Sequence, residues 1–175
     1  MMPGLKRSVS ATTRPRRRGE RDGRDYFFYD KKEFQEKKAK GFFLEWAKVF
    51  DCYYGTPEKH VRQTVAKGCD VLLTIDVQGA RKIRKKIKDA VTVFLVPPSM
   101  RVLRERLIQR ETDSSQEIEK RLRTAEEEME AVRCYDYVVV NDIVKDAAAA
   151  VRNIIEAEKH KVTRNEEVLH GLYRS

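Results

Sequence analysis

Short apolar runs separated by helix-favouring segments constrain the fold more than any other feature of this sequence. Val71 to Asp76 is a nearly continuous apolar run that ends in a carboxylate, and residues 91–96 and 138–140 form similar runs. Such runs are typical of strands buried on both faces of a parallel sheet. The intervening patterns predict helices at residues 78–87, 99–110, 116–132 and 145–160. The sequence therefore predicts an α/β core in which helices flank a parallel sheet.

The N-terminal third of the chain has a different character and predicts a small mixed insert. Apolar and polar residues alternate, and a Pro/Gly/Arg-rich loop precedes an aromatic run. The predicted elements, in chain order, are strands at residues 8–10 and 26–29, a helix at 31–40, a half-buried strand at 42–49, a turn at 53–57 and a helix at 58–67.

Length and composition favour one domain with a sizeable core, since the chain has 175 residues of which 41% are hydrophobic. Its longest apolar runs are far shorter than the roughly 20 residues that a membrane-spanning helix needs. A secretory signal would combine a basic start, an apolar stretch and a cleavage site of small residues, and the N-terminus does not show this pattern. We therefore expect a cytoplasmic protein. Cys52, Cys69 and Cys134 fit neither a disulfide framework nor a zinc site, and we expect reduced thiols.

A net charge of +9 favours an anionic partner, which charge alone leaves open between nucleic acid, a membrane surface and a phosphorylated small molecule. The basic stretch at residues 81–88 is predicted to be a solvated helix face. The stretch from Arg14 to Arg18 follows several hydroxyl residues, and this combination suits a bound phosphate. Neither stretch interleaves aromatic residues as a single-strand stacking platform would.

Several stretches, taken together, resemble the guanylate kinase family in order and spacing. They are Ser8–Arg14 (SVSATTR), Gly23–Tyr26 (GRDY), Phe43–Ala47 (FLEWA), Tyr53–Thr56 (YYGT), Ile75–Gly79 (IDVQG) and Tyr137–Asp142 (YVVVND). The resemblance implies a P-loop nucleoside-monophosphate-kinase-like fold, with a parallel core sheet, a mixed α+β GMP-binding insert and a helical lid. The implied boundaries are residues 1–7, 66–105 and 124–175 for the core, 8–65 for the GMP-binding region and 106–123 for the lid.

The resemblance also implies a pocket for GMP or dGMP. The residues that match those holding the GMP phosphate are Arg14, Arg17, Tyr26 and Tyr54. Each charge-assisted hydrogen bond between a guanidinium and the phosphate contributes about 1.5–3 kcal/mol. Glu45 matches the carboxylate that accepts hydrogen bonds from guanine N1 and N2. Adenine presents an acceptor at N1, and sites built on such bonds reject the wrong analogue by about 10⁴ to 10⁵. The residues assigned to the pocket are Ser10, Arg14, Arg17, Tyr26, Glu45, Tyr54, Gly55, Thr56 and Asp76.

Each residue type in this pocket also has an ordinary structural alternative. The arginines suit a solvated basic turn, and the tyrosines suit core packing. Glu45 suits an outward-facing strand position between Leu44 and Trp46. Asp76, which matches an acidic residue near the magnesium and phosphates, also suits the N-cap of the following helix.

The resemblance places the ATP side of the site in the second half of the chain. Arg106, Arg110 and Arg121 match lid arginines that close over the phosphates and stabilise the charge of the transition state. Asn141 matches a residue near the adenine of ATP. The alternative for the three arginines is a set of surface salt bridges along a helix. The alternative for Asn141 is a turn after a strand.

The sequence departs from the family pattern at single residues and at one whole motif. Thr74 stands where many members carry an acid, and Glu111 stands where a glycine is usual. None of the eight glycines is followed by Lys, so the Gly-rich loop that cradles ATP phosphates is missing. In the family that loop follows the first strand, and we therefore expect a truncated chain that begins in the middle of the fold, with a sheet that lacks one strand.

The leading functional prediction is transfer of the ATP γ-phosphate to GMP in purine nucleotide metabolism, impaired in this chain by the missing loop. ATP and Mg²⁺ are expected for the complete family enzyme, with no tightly bound cofactor and no metal held by this chain. The alternative is a catalytically inactive guanylate-kinase-like module that binds a nucleotide or a phosphorylated partner. Nucleic-acid binding is a third class of function, and no motif in the sequence indicates it. No membrane partner is expected.

Overall fold

The computed structural model describes residues 2–109 and 114–172, and it divides into two compact units, Met1–Ala90 and Val91–Ser175. The first unit contains β1 (Leu5–Arg7), β2 (Ala11–Thr12), β3 (Phe27–Phe28), α1 (Lys31–Ala39), β4 (Phe43–Val49), β5 (Cys52–Pro57), α2 (Glu58–Val65), β6 (Asp70–Leu72) and α3 (Val77–Lys86). The second contains β7 (Val93–Val96), α4 (Met100–Ile108), α5 (Ser115–Met129), β8 (Tyr137–Val140), α6 (Val144–Lys159) and α7 (Glu166–Leu172). The α/β class predicted from the sequence is confirmed.

A four-stranded sheet in the order β3-β2-β5-β4 organises the first unit. The long hairpin β4–β5 is antiparallel and turns at Phe50, whose φ of 53° lies in the left-handed region. The prediction of a turn at residues 53–57 is therefore wrong, because the chain has already reversed and these residues form most of β5. Their aromatic and β-branched side chains suit a strand.

The predicted strand at Ser8–Ser10 is also wrong, since β1 and β2 lie on either side of it. The Ser8 amide donates to the carbonyl of Leu72 in β6, whereas the Ser10 carbonyl accepts from the amide of Phe27 in β3. The segment is therefore the crossing between two sheets. Its alternating pattern arises because Ser8 and Ser10 are both buried at that crossing.

Two apolar clusters lie on opposite sides of β4, whose register with β5 shifts between Phe43 and Glu45. Phe43 packs with Ala11 and Phe34, and the rings of Phe34 and Phe43 stack at 4.5 Å between centroids. The next residue, Leu44, packs instead with Val61 of α2 and Ile83 of α3. Strand β4 thus joins the sheet core to the helices that follow it.

Three side chains of helix α3, spaced four residues apart, donate hydrogen bonds to backbone carbonyl groups of β4. The accepting carbonyls are spaced two residues apart along the strand. The donors are Gln78, Lys82 and Lys86, and the acceptors are the carbonyls of Lys48, Trp46 and Leu44, respectively. Lys82 also lies over the Trp46 ring, 4.4 Å from its centroid. The predicted solvated face at residues 81–88 is wrong for Lys82 and Lys86, because both bind backbone.

The strands predicted to be buried on both faces are only partly covered. In the first unit β6 pairs in parallel with β1, and Asp70 is exposed while Val71 and Leu72 are half-buried. In the second unit β7 and β8 form a two-stranded parallel sheet. That sheet exposes more than half of three apolar side chains, at Leu95, Val138 and Val140.

Helices α4, α5 and α6 begin and end within three residues of their predicted positions, whereas α7 was not predicted. Local caps explain the starts of α4 and α5. Ser99 caps α4, and Ser114 forms a capping box with Glu117 at the start of α5. Helix α6 is tied to β8 where buried Glu158 accepts a hydrogen bond from Tyr137. No helix within the described ranges combines the length and apolar character that crossing a membrane requires.

Candidate functional site

A pocket of about 200 Å³ lies in the first unit, where β4 and β5 face the segment that joins β6 to α3. It combines carboxylate, hydroxyl and phenol groups with a small apolar wall. Its lining residues are Ser10, Tyr26, Glu45, Val49, Tyr54, Gly55, Thr74, Ile75 and Asp76. Most of the residues predicted for the GMP pocket are therefore brought together, although they come from stretches far apart in the sequence.

Glu45 is the buried carboxylate of this pocket, with only 4% of the residue exposed. Its Oε1 accepts a hydrogen bond of 2.6 Å from the Thr56 hydroxyl across the β4–β5 pair. Burial raises the pKa of Glu45, and the charge of Asp76 adds to the rise while the Thr56 bond opposes it. The alternative of an ordinary outward-facing strand position is wrong, because Glu45 is buried and bonded to Thr56.

Asp76 has a structural role that the sequence also predicted. It is the N-cap of α3, and its Oδ1 accepts from the Gly79 amide at 2.9 Å. The same residue lines the pocket. The cap and the pocket therefore share one carboxylate, which fixes Asp76 beside Glu45.

Arg14 is held by the carboxylate of Glu20, which was not among the predicted site residues. Its Nη2 lies 2.7 Å from Glu20 Oε1, and the side chains of this pair are only 15% and 20% exposed. The hydrogen bond from Arg14 lowers the pKa of Glu20, and the same bond raises the pKa of Arg14. Arg14 also lies over the Tyr26 ring at 5.5 Å, so it is placed rather than freely solvated.

The remaining predicted pocket residues support this arrangement in different ways. The rings of Tyr26 and Tyr54 meet edge to face at 6.2 Å between centroids. Gly55 lets β5 pass closely over the rings of the core, since a Cβ there would lie 2.9 Å from the Phe43 ring. The Arg17 side chain is exposed, and its amide donates to Glu20.

The residues predicted for the ATP side lie in the second unit. Arg106 donates to the carbonyls of Asn141 and Asp142 at 2.5 and 2.9 Å. Arg121 lies on α5 and is half-buried. Arg110 and Glu111 lie outside the described residues. The structure therefore brings two of these predicted residues together, Arg106 and Asn141, through a backbone contact.

The described residues supply no ligand set for a resident magnesium ion. Among them, no group of three or more His, Cys, Asp or Glu side chains converges. Asp76 offers one carboxylate, and one of its oxygens already accepts from Gly79. A protein that binds Mg²⁺ with one or two carboxylates relies on substrate phosphates for the rest of the shell. No step is therefore assigned to a metal held by this chain.

Another depression, lined by Glu33, Glu36, Lys37, Lys40 and Phe42 on and after α1, has a volume of about 330 Å³. Its lining is charged and largely at the surface, without a buried polar group that points into it. The smaller pocket around Glu45 has such a group. We therefore assign the candidate site to the smaller pocket.

Some functional residues had weak signals in the sequence. Glu20 follows Arg14 by six positions, and this opposite charge in a basic loop indicates a partner only once the loop conformation is known. Gly79 is an isolated glycine inside a helical pattern, and this alone indicates only a lower helix propensity. Val49 and Ile75 form the apolar wall and have no distinguishing signal.

The parallel strands, their flanking helices and the acidic pocket define an α/β protein of the nucleoside-monophosphate-kinase type. The family model described as guanylate kinase matches residues 4–158. The chain is 49% identical over 163 residues to a guanylate kinase of Symbiobacterium thermophilum, covering 93% of this chain and 77% of that protein. It is 50% identical over 157 residues to one of Streptococcus mutans, covering 90% of this chain and 75% of that protein.

Comparison with solved structures indicates the same family. The crystal structure of guanylate kinase from Anaplasma phagocytophilum matches with a TM-score of 0.81 and 38% identity, covering 92% of this chain and 79% of that chain. The chain belongs to the guanylate kinase family, which is a family of phosphotransferases.

Proposed function

We propose that the protein acts in the transfer of the ATP γ-phosphate to GMP or dGMP, and that the pocket around Glu45 is the GMP site. In this reaction an oxygen of the GMP phosphate forms a bond to the γ-phosphorus. The bond from that phosphorus to the β–γ bridging oxygen breaks, giving GDP and ADP. The observation that carries the proposal is the buried, hydrogen-bonded carboxylate of Glu45 beside Thr56 and Asp76.

Glu45 would read the base through its hydrogen-bonding pattern. Guanine presents the N1–H and N2–H donors side by side, and a carboxylate accepts both. These bonds need the ionised form, so the guanine donors would offset the burial that raises the pKa of Glu45. Ser10 and Thr56 line or adjoin the same pocket and would contact the base.

Arg14, Arg17 and the two tyrosines would hold the GMP phosphate. Arg14 is already oriented by Glu20 and by the Tyr26 ring. A guanidinium that is held in place loses less side-chain entropy on binding than a mobile one. The phosphate would therefore meet a preformed cationic wall beside Tyr54.

The ATP side is proposed from the family alone. Arg106, Arg110 and Arg121 would approach the transferring phosphate, and Asn141 would lie near the adenine. Magnesium would enter with ATP as part of the substrate. We expect the pocket around Glu45 to bind GMP whether or not phosphate transfer follows. The cytoplasmic location remains a prediction.

Calorimetric titration with GMP tests the proposal, with AMP as the matched ligand and Glu45→Ala as the matched variant. We expect saturable binding of GMP, weak or no binding of AMP, and loss of GMP binding in the variant. Fluorescence of Trp46, the single tryptophan, establishes that each sample is folded. A folded chain that binds GMP and AMP equally would overturn the proposal.

A second candidate is a binding module without transfer activity, because a pocket built around Glu45 can bind GMP without transferring phosphate. Both candidates predict GMP binding. They differ in whether GDP forms when ATP and Mg²⁺ are added to the GMP-bound protein, and chromatographic detection of GDP decides between them.

A further inference from the structure

We propose that Gly79 is the positioning residue for the guanine-reading carboxylate of Glu45. Because its α-carbon carries no side chain, the carboxylate can lie against the first turn of α3. The inference rests on the proposed function, since it concerns how the same pocket recognises the base.

Glu45 is confined on both sides of its carboxylate. Its Oε1 accepts from the Thr56 hydroxyl at 2.6 Å. A Cβ built on Gly79 would lie 2.7 Å from Oε2 and 3.2 Å from Cδ of Glu45, and 3.1 Å from Oδ1 of Asp76. Contacts of 2.7 Å between a methyl carbon and a carboxylate oxygen lie inside the van der Waals distance, so a side chain at position 79 requires a displacement.

The backbone around Gly79 resists such a displacement. The Gly79 amide donates to Asp76 Oδ1 in the N-cap of α3. On the same helix, Lys82 and Lys86 bind carbonyl groups of β4, the strand that carries Glu45. Helix and strand are therefore tied together, and the part free to move is the end of the Glu45 side chain.

Displacement of the Glu45 carboxylate would leave the fold unchanged but would misalign its hydrogen bonds to the base. GMP has donors at both N1 and N2, whereas inosine monophosphate has the N1 donor and lacks the N2 group. A well-placed carboxylate therefore prefers GMP, and a misplaced one prefers it less. Since a hydrogen bond to a charged group contributes about tenfold or more in affinity, we expect Gly79→Ala to weaken GMP binding by about tenfold.

The experiment measures dissociation constants for GMP and inosine monophosphate by calorimetry, together with the melting temperature. The variants are Gly79→Ala, Glu45→Asp, and the two combined. Gly171→Ala is the matched control, since Gly171 also lies in a helix and a Cβ there meets nothing within 4 Å. Alanine favours a helix over glycine by about 1 kcal/mol, which offsets part of the cost of displacing Glu45, so Gly79→Ala should lower the melting temperature by no more than a few degrees.

The expected result is a GMP affinity about tenfold weaker in Gly79→Ala, with a smaller loss for inosine monophosphate and no change in Gly171→Ala. Glu45→Asp should cost much less affinity in the Gly79→Ala background than in the natural chain, because the carboxylate is already displaced. Unchanged GMP selectivity in Gly79→Ala would overturn the inference. So would equal losses for both nucleotides with additive effects of the two substitutions.

If Gly79→Ala lowers the melting temperature, the combined variant decides. Aspartate is one methylene shorter and withdraws its carboxylate from the new methyl group, so recovery of the melting temperature supports the contact, and no recovery overturns it. Failure of the natural chain to bind GMP would overturn the proposed function itself. That failure is visible before any variant is made.

Discussion

Replacing Thr56 by Val should destabilise the protein by an amount that grows with pH. Valine has nearly the shape of threonine, so the change removes the hydroxyl that donates to Glu45 Oε1 and leaves the packing in place. Thr56 is fully buried, and water cannot substitute for the lost donor. The carboxylate of Glu45 is then left with one partner fewer in a buried pocket.

The magnitude depends on the charge of Glu45. A hydrogen bond to an ionised group contributes about 1.5–3 kcal/mol, and a bond between neutral groups about 0.5–1.5 kcal/mol. Burial raises the pKa of Glu45 above the value of about 4.3 that it has in the unfolded chain. The folded protein is therefore stabilised by protonation at low pH, and this contribution is lost as the pH rises through the folded pKa. The cost of Thr56→Val should increase over the same window, from about 1 to about 2–3 kcal/mol.

Urea unfolding followed by Trp46 fluorescence measures this effect, because Trp46 is adjacent to Glu45 in β4. The free energy of unfolding is determined at several pH values between 4.5 and 8 for the natural chain and Thr56→Val. Thr56→Ser keeps the hydroxyl and controls for the lost methyl group. Glu45→Gln removes the titrating group, and Thr56→Val in that background should cost the same at every pH.

A cost of Thr56→Val that does not change with pH would refute the reasoning. It would show that Glu45 does not ionise in the folded state over this range, or that the Thr56 hydroxyl does not stabilise its charge. A pH-dependent cost for Thr56→Ser would be equally damaging, since that variant retains the donor.

The pair of Arg14 and Glu20 predicts that Glu20→Gln weakens GMP binding by about three- to tenfold in calorimetry, because Arg14 loses a charged partner. Binding of guanosine, which lacks the phosphate, should not change. Asp76→Ala should lower the free energy of unfolding by about 1 kcal/mol through loss of the α3 N-cap, whereas Asp76→Asn should preserve it. Phe34→Ala should cost about 3–5 kcal/mol in urea unfolding, since Phe34 is fully buried in the aromatic cluster.

Each of these predictions has a contrary outcome. Equal losses for GMP and guanosine in Glu20→Gln would place the effect in the fold instead of the phosphate site. Equal stabilities of Asp76→Ala and Asp76→Asn would mean that the cap contributes nothing. A cost below about 1 kcal/mol for Phe34→Ala would show that the aromatic cluster is not part of the core.

Local signals in the sequence were sufficient where one residue determines the local structure. The starts of α4 and α5 lie close to their predicted positions because Ser99 and Ser114 are N-caps, and an N-cap hydroxyl acts within its own turn. The turn between β4 and β5 was misplaced because Phe50, which has a positive φ, is not a residue type that favours that conformation. Its position follows from the pairing of the two strands, which is not a local property.

The site was predicted in composition and not in geometry. The motifs assigned Glu45 and Asp76 to one pocket, yet the sequence does not indicate that the Thr56 hydroxyl donates to Glu45. It also gives no sign of Glu20, because an acid in a loop binds whichever base the loop brings close. Contacts between distant segments decide both features, and these contacts depend on the packing of the first unit as a whole.

The side chains that fasten α3 to β4 have a consequence for assembly. Strand β4 lies at the edge of its sheet, where backbone groups would ordinarily be open to an extended peptide or a second chain. The carbonyls of Leu44, Trp46 and Lys48 already accept hydrogen bonds from the helix. A strand that pairs with this edge would have to displace the ammonium groups of Lys82 and Lys86. These two basic residues therefore oppose the addition of a further strand to the sheet.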